Sequence, residues 1–425
     1  MLLAMFAIFI VLLFVGFPIA HAIGMEAMIY MLANGVRLNA IPQKFYAGID
    51  SFVLLAIPGF VMAGNLMNQG GMTTRIVNFS KHLFGTMRGG LGVANVVASM
   101  VFAGISGSAT GDTASIGGIL IPAMKKEGYD AEFSVGVTAT SSCLAPIIPP
   151  SIPMIVAGSC AGLSVGKLFI AGAIPGIILG VCMIFLSIYF AYTRGYPRGF
   201  KTSVRTFVAS IMDAFWALLL TAIILFGIMG GVFTPTEASI IAVVYAIIVG
   251  KFVYRELEFR NMPKIIVESM VTSASILVIT GFASVFAWLL TTQHIPTRIA
   301  SAIVAFSDSK WVLLLLINLL LLFVGMFMET ISAILILFPI LLKICYEIGM
   351  DPIQFCVMCV MNLVIGLCTP PVGVCLFLAA NIGKISLTRA VAGAYPFILV
   401  SLLVLALVTI FPQITLFLPN LWFGN

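Results

Sequence analysis

Apolar stretches of full helix length recur along the chain, and no other feature restricts its fold as strongly. Trp311 to Met328 is one such run, broken only by Asn318 and Gly325. A bilayer-spanning helix needs about 20 apolar residues, whereas an outer-membrane barrel would show short segments of alternating polarity. Charged residues make up 8% of the 425, against roughly 25% in soluble domains, and the mean hydropathy is +1.19. The chain therefore has room for about ten to twelve membrane helices and little outside the lipid. A water-soluble enzyme is excluded, and the expectation is an all-α polytopic protein of the inner membrane.

The net charge of +6 does not point to nucleic acid, because the basic residues sit between apolar spans and never form a dense tract. The eight cysteines lie mostly inside apolar segments, where Cys packs as a small hydrophobe. Cys356 and Cys359 form a CxxC without a second pair or a histidine cluster, so packing is its expected role. Leu2 to Ile19, followed by Ala20-His21-Ala22, imitates a signal peptide. It lacks a basic residue before the apolar run, so a retained span is expected.

Splitting the chain at Gly, Pro and charged clusters gives spans near 2–20, 22–35, 50–68, 131–158 and 166–193. A second set follows near 210–230, 236–254, 267–292, 352–380 and 391–419. An extra block lies between the third and fourth spans of each set, 89–125 and 307–345, and reads as a re-entrant helical hairpin. Motifs recur 221 positions apart: Phe102-x-Gly104 with Phe323-x-Gly325, Gly128-x-Asp130 with Gly349-x-Asp351, Pro149-Pro150 with Pro370-Pro371, and Ala171-Gly-Ala-Ile-Pro175 with Ala392-Gly-Ala-Tyr-Pro396. Two units are thus expected, 1–205 and 206–425. Five crossings per unit is an odd number, which makes the second an inverted repeat of the first. With both termini outside, fifteen of the 21 Lys and Arg fall on the cytoplasmic side, as the positive-inside rule favours.

Two segments are chemically odd for lipid: Leu144 to Pro153, reading LAPIIPPSIP, and Gly366 to Gly373, reading GLCTPPVG. Proline donates no N–H to the carbonyl four residues earlier. Pro149 and Pro150 should release the carbonyls of Ala145 and Pro146, and Pro370 and Pro371 those of Gly366 and Leu367. Irregular backbone at membrane depth belongs where it lines a cavity or is buried in protein, and free carbonyls suit a hard cation such as Na+. The hairpin tips are expected to face these breaks. The first, Gly104 to Asp112, offers the hydroxyls of Ser106, Ser108 and Thr110; the second, Gly325 to Thr330, places Glu329 in an apolar run, which marks a functional group by default. Glu329 could bind a cation, accept hydrogen bonds from substrate, or sit protonated. Asp112 stands either as the cap of a helix Thr113 to Lys125 or as part of the site.

Together, GISGSATGDTASIGGILIPAM, PIIPPSIPMIVAG, GMFMET and GLCTPPVG resemble the large membrane subunit of tripartite ATP-independent periplasmic (TRAP) transporters, the DctM family, over essentially the whole chain. The resemblance implies an elevator fold of the ion transporter superfamily, in which a scaffold carries two hairpins and two broken helices, driven by Na+. It implies one Na+ site at Ser106, Ala145, Ile148 and Pro150, and a second at Gly325, Gly366 and Thr369. Substrate contacts would fall at Ser108 and Glu329, with Asp112 a further candidate. Glu329 and Pro153 stand where sialic-acid members have Asp and Ser, so a C4-dicarboxylate or another organic acid is at least as fitting. Implied partners are a small four-helix membrane subunit and a soluble periplasmic substrate-binding protein.

Other readings fit less well. Gly104-Ile105-Ser106-Gly107 matches the motif of rhomboid proteases, but a serine nucleophile needs a base, and His21, His82 and His294 stand in no motif. Gly166-Lys167 lacks the upstream glycine of a Walker A loop. A stand-alone Na+-coupled carboxylate symporter of the same superfamily is the alternative function.

Overall fold

The computed structural model describes residues 8–9, 11–12, 15–199, 203–295, 298 and 309–424. Every regular element among them is helical. In chain order the first half contains α1 Ile19–Ala33, α2 Ala40–Ile49, α3 Ala56–Gln69, α4 Met72–Phe84, α5 Gly90–Ser106, α6 Ala109–Lys126, α7 Ala131–Ser141, α8 Ile152–Ala161 and α9 Val165–Thr193. The second contains α10 Val204–Met229, α11 Pro235–Ile248, α12 Met262–Thr292, α13 Lys310–Gly325, α14 Thr330–Glu347, α15 Pro352–Gly366, α16 Val374–Gly383, α17 Leu387–Ile410 and α18 Gln413–Phe423. Seven helical segments among the described residues are long and apolar enough to cross a bilayer.

The helices divide by how completely they are enclosed. Every residue of α7 from Phe133 to Ser141 and of α15 from Gln354 to Gly366 is buried, so neither shows a polar face, as expected of helices surrounded by protein. By contrast α10 and α12 expose Val204, Val208, Met212, Val267 and Val271, an apolar outer surface suited to lipid. The two halves interlock around the enclosed helices: α16 packs on α6 and α7, α17 on α7, and α8 on α14. Lys125 Nζ donates to the Gly383 carbonyl at 2.7 Å, and Arg389 pairs with Glu132, fastening the same elements at one end.

Several boundaries differ from those expected. About half of the span near 2–20 lies outside the described residues. The span at 391–419 is two helices, α17 and α18, parted at Phe411 and Pro412, because Pro412 cannot donate into the preceding turn. Helices α2 and α4 are not among the expected spans: α2 packs along α12 with Phe45 edge-on to Phe282 at 4.9 Å, and α4 is amphipathic, carrying Arg75, Lys81 and His82. Residues 262–292 form one continuous helix, while the repeat-related stretch of the first half is divided into α2 and α3 by Asp50 and Ser51.

Arg75 ties α4 to the second half. Its Nε donates to Asp213 at 3.1 Å, its Nη1 to Glu256 at 2.7 Å and to the Gly71 carbonyl at 2.9 Å, and its guanidinium lies 3.8 Å from the centre of the Tyr254 ring. The Tyr254 hydroxyl closes the knot by donating to the Asp213 carbonyl at 2.7 Å. Both carboxylates are about half exposed, which limits what the charges contribute; planar stacking and hydrogen bonding supply the rest. Arg75→Ala is expected to lower the stability of the detergent-solubilised protein by about 1 kcal/mol, read as a fall in thermal unfolding temperature that added salt reduces.

Candidate functional site

Each half presents a helical hairpin whose tip rests on a broken helix. In the first, α5 and α6 are joined by Gly107 and Ser108. The Ser108 hydroxyl caps α6 by accepting from the Gly111 N–H at 3.3 Å and pairs with Thr110 Oγ1 at 3.2 Å. The partner break lies between α7 and α8, where Ser151 caps α8 by accepting from the Met154 N–H at 3.2 Å. Tip and break touch closely: a Cβ added to Gly107 would lie 2.8 Å from the Pro150 carbonyl oxygen.

In the second half α13 and α14 form the hairpin, and Glu329 caps α14 by accepting from the N–H groups of Ile331 at 2.8 Å and Ser332 at 3.4 Å. Glu329 is exposed. The tip meets the break between α15 and α16 backbone to backbone. A Cβ on Gly366 would fall 2.5 Å from the Gly325 carbonyl carbon, and the Gly373 N–H donates to the Met326 carbonyl at 3.3 Å.

Polar links hold each hairpin to its broken helix and the broken helices to each other. Asn95 on α5 donates to Thr138 Oγ1 at 2.6 Å and accepts from Ser141 at 3.1 Å; Asn362 on α15 donates to Asn318 Oδ1 at 2.7 Å. Cys143 and Cys368 cross at the centre with their sulfurs 2.9 Å apart. The Cys143 thiol reaches the Val364 carbonyl at 3.3 Å and the Cys368 thiol the Ala139 carbonyl at 2.9 Å. These thiols are free and serve the last turns of α15 and α7, a role their apolar sequence context does not reveal. Among the described residues no group of His, Cys, Asp and Glu could hold a transition metal.

The proline argument needs correction at three of its four carbonyls. Ser151 Oγ donates to Pro146, the Thr369 N–H to Gly366 at 2.9 Å and the Cys375 N–H to Leu367 at 3.0 Å. Among the described residues Ala145 accepts nothing, and neither do the carbonyls of Ile148, Pro150 and Gly325. These four belong to the two sets that the family resemblance implies, with Ile148 and Pro150 in the first break and Gly325 at the second tip; the proline argument reached only Ala145 among them. Gly366 keeps a second lone pair, and Thr369 donates its hydroxyl to Ile365 at 2.8 Å. Ser106 ends α5 and is buried, its Oγ 3.5 Å from the Ser108 N–H.

Asp112 is not the cap of α6. That helix begins at Ala109 with Ser108 as its cap, which leaves Asp112 inside the first turn, buried, with both carboxylate oxygens unpartnered. Ser108 and Glu329 are repeat-related, 221 positions apart, so equivalent caps are a neutral hydroxyl in one half and a carboxylate in the other. Alignment of the two halves at an offset of 221 contains this signal.

A family model described as "Tripartite ATP-independent periplasmic transporter, DctM component" matches residues 6–414. The sialic acid TRAP transporter large permease protein SiaM of Vibrio cholerae is 39% identical, over 97% of this chain and 97% of that protein. The C4-dicarboxylate TRAP transporter large permease protein DctM of Rhodobacter capsulatus is 37% identical, over 99% of each. Among solved structures, the YdaH transporter of Alcanivorax borkumensis superposes with a TM-score of 0.58 at 16% identity, covering 87% of this chain and 86% of that one; this likeness concerns the fold alone.

The contact of Gly325 with Gly366 supplies a test of how tightly the second tip is seated. Gly366→Ala should destabilise the protein by about 2 kcal/mol through overpacking. Gly118→Ala, in α6 where an added Cβ meets nothing within 4 Å, should be neutral or stabilise by up to about 1 kcal/mol. Thermal unfolding of the two variants in detergent checks both.

Proposed function

Because the chain belongs to the DctM family of tripartite ATP-independent periplasmic transporters, and is a transport component rather than an enzyme, we propose that it imports an organic acid across the inner membrane in exchange for the energy of a Na+ gradient. The observation that carries the reading is the set of unpartnered carbonyls at Ala145, Ile148, Pro150 and Gly325, placed where each hairpin tip meets a broken helix. Oxygen dipoles without donors are ligands for a hard cation. Ser106 would complete a first Na+ site with Ala145, Ile148 and Pro150. Gly366 and Thr369 would complete a second with Gly325. Sodium bound there supplies positive charge beside an anionic substrate.

The unequal caps assign the two tips different tasks toward that substrate. A helix N-terminus favours an anion. At α6 the cap is the neutral Ser108, so the N-terminal N–H groups and the Ser108 hydroxyl are available to a substrate carboxylate. At α14 the Glu329 carboxylate already fills that role, and its remaining lone pairs accept from substrate hydroxyl or amide groups. The relatives named above carry sialic acid and C4-dicarboxylates, both of which fit a site of this polarity.

Magnitudes support the coupling. One Na+ entering across about 100 mV with a tenfold gradient releases roughly 3.7 kcal/mol, and two release about 7.4. Importing a monoanion against the potential takes about 2.3 kcal/mol, leaving about 5, enough for more than a thousandfold accumulation. A dianion leaves about 2.8, near a hundredfold.

On this reading the hairpins and broken helices move together against the outer helices in an elevator cycle, with both termini periplasmic. Family membership implies a small membrane subunit and a soluble periplasmic binding protein as partners, the latter delivering the substrate. Uptake of labelled organic acids into proteoliposomes holding the chain and its small subunit should require both a Na+ gradient and the binding protein. Na+-driven uptake without the binding protein would establish a stand-alone symporter instead. Glu329→Gln should reduce uptake at least tenfold while membrane insertion is unchanged. Normal uptake by that variant would remove Glu329 from the site.

A further inference from the structure

Behind the first hairpin tip lies a buried polar cluster that neither expected Na+ site uses. Its centre is the Asp112 carboxylate, buried and without a hydrogen-bond partner on either oxygen. The hydroxyls of Ser99 on α5 and Ser142 at the end of α7 lie beside it, and neither meets it in hydrogen-bond geometry. Following the hydroxyl protons explains why. Ser142 Oγ donates to the Thr138 carbonyl at 2.8 Å, so its single proton is spent. Ser141 Oγ donates to Asn95 Oδ1 at 3.1 Å, and its 3.1 Å contact with Ser99 Oγ therefore uses the Ser99 proton. The reverse direction would leave the buried Asn95 Oδ1 without a donor, which is costly. Both hydroxyls thus turn lone pairs, not protons, toward Asp112.

Two carboxylate oxygens and two hydroxyl oxygens facing one another with no donor among them repel unless something positive sits between them. Buried charges are paired or coordinate a metal ion. A single proton on Asp112 would join one pair of oxygens and leave the others opposed, whereas a hard cation draws on all of them. The fold does not require polar residues here. At the repeat-related positions of the second half, Ser99, Asp112 and Ser142 are replaced by Leu320, Ala333 and Leu363, in the same hairpin and broken-helix elements.

We propose that Asp112, with the Ser99 and Ser142 hydroxyl oxygens, binds a further Na+, distinct from those at the two breaks. The inference rests on the Na+-coupled reading above and deepens it. A third ion entering with each substrate raises the accumulation available to a dianion, for which two ions support only about a hundredfold. Its place inside the first hairpin, against the end of α7, puts it in the same packed unit as the first break.

The test is the number of Na+ ions bound by the purified complex of the chain with its small subunit, measured with radioactive Na+ at saturation. Asp112→Asn should bind one fewer ion than the unaltered protein, and Ser142→Ala should retain the ion with about tenfold weaker affinity. Equal counts for Asp112→Asn and the unaltered protein overturn the proposal. Should Asp112→Asn fail to fold, an unchanged Na+ titration for Ser142→Ala overturns it equally. Proton release on substrate binding that Asp112→Asn abolishes, with the Na+ count unaltered, would overturn it in favour of a protonated acid. If the unaltered complex binds no Na+, the coupled reading itself fails. A bound count that Asp112→Asn leaves intact removes only the third ion.

Discussion

Hydrocarbon offers no partner to a backbone amide or carbonyl, and the arrangement of this molecule follows from that constraint. A helix satisfies its own groups, so unbroken helices such as α10 and α12 can stand at the periphery with Val, Met and Phe toward the lipid. A chain interrupted by Pro149-Pro150 or Pro370-Pro371 cannot. The helices that lead into the two interruptions, α7 and α15, are therefore enclosed by protein, and the hairpin tips, the crossing thiols of Cys143 and Cys368, and the Asn95 and Asn362 links all pack around them. Enclosure and function are then one problem. On the proposed function, the carbonyls of Ala145, Ile148, Pro150 and Gly325, which accept nothing among the described residues, are those left for a cation.

Rebonding is what makes the remaining carbonyls informative. Counting prolines alone frees four groups, and the structure takes back three of them with Ser151 Oγ and the N–H groups of Thr369 and Cys375. A local rule about missing donors cannot see a donor that arrives from one turn later or from across the break. The same limit explains why the cap role, one of two left open for Asp112, falls to Ser108 instead: α6 begins at Ala109, four residues before the expected Thr113. The features carried by long range in sequence fared differently. Recurrence over 221 positions marked both hairpins and both breaks, because each is a chemically unusual segment that a random apolar helix would not contain. What sequence could not supply was the pairing between halves, such as α16 against α6 and α7, which depends on how two similar units interlock. Amphipathic α4 was hidden for a simpler reason. Its polar residues look like a loop until Arg75 is seen to reach Asp213 and Glu256.

Repetition with substitution gives the molecule its direction. Two units with equivalent hairpins would present equivalent sites, and the residues at equivalent positions show that they do not. Ser108 faces Glu329 as cap for cap, and the Asp112 cluster faces Leu320, Ala333 and Leu363. The second tip carries its carboxylate at the exposed cap, whereas the first carries a hydroxyl at the cap and a carboxylate buried behind it. On the proposed function, an anion bound between the tips would have a preferred orientation.

Exposure breaks the equivalence as well. Pro149, Pro150 and Ser151 are buried, whereas the repeat-related Pro370, Pro371 and Val372 are exposed, as is Glu329 at the adjoining tip. The sequences of the two breaks do not dictate this, since both are rich in proline and poor in charge. It arises from packing: the first tip is backed by α10, where Thr221 stands 2.4 Å from the position of a Cβ on Gly104, and the second tip instead carries exposed Phe323 and Phe327. On the mechanism proposed above, alternating access requires that one path to the site be shut while the other is open, and two breaks of like chemistry but unlike exposure meet that requirement.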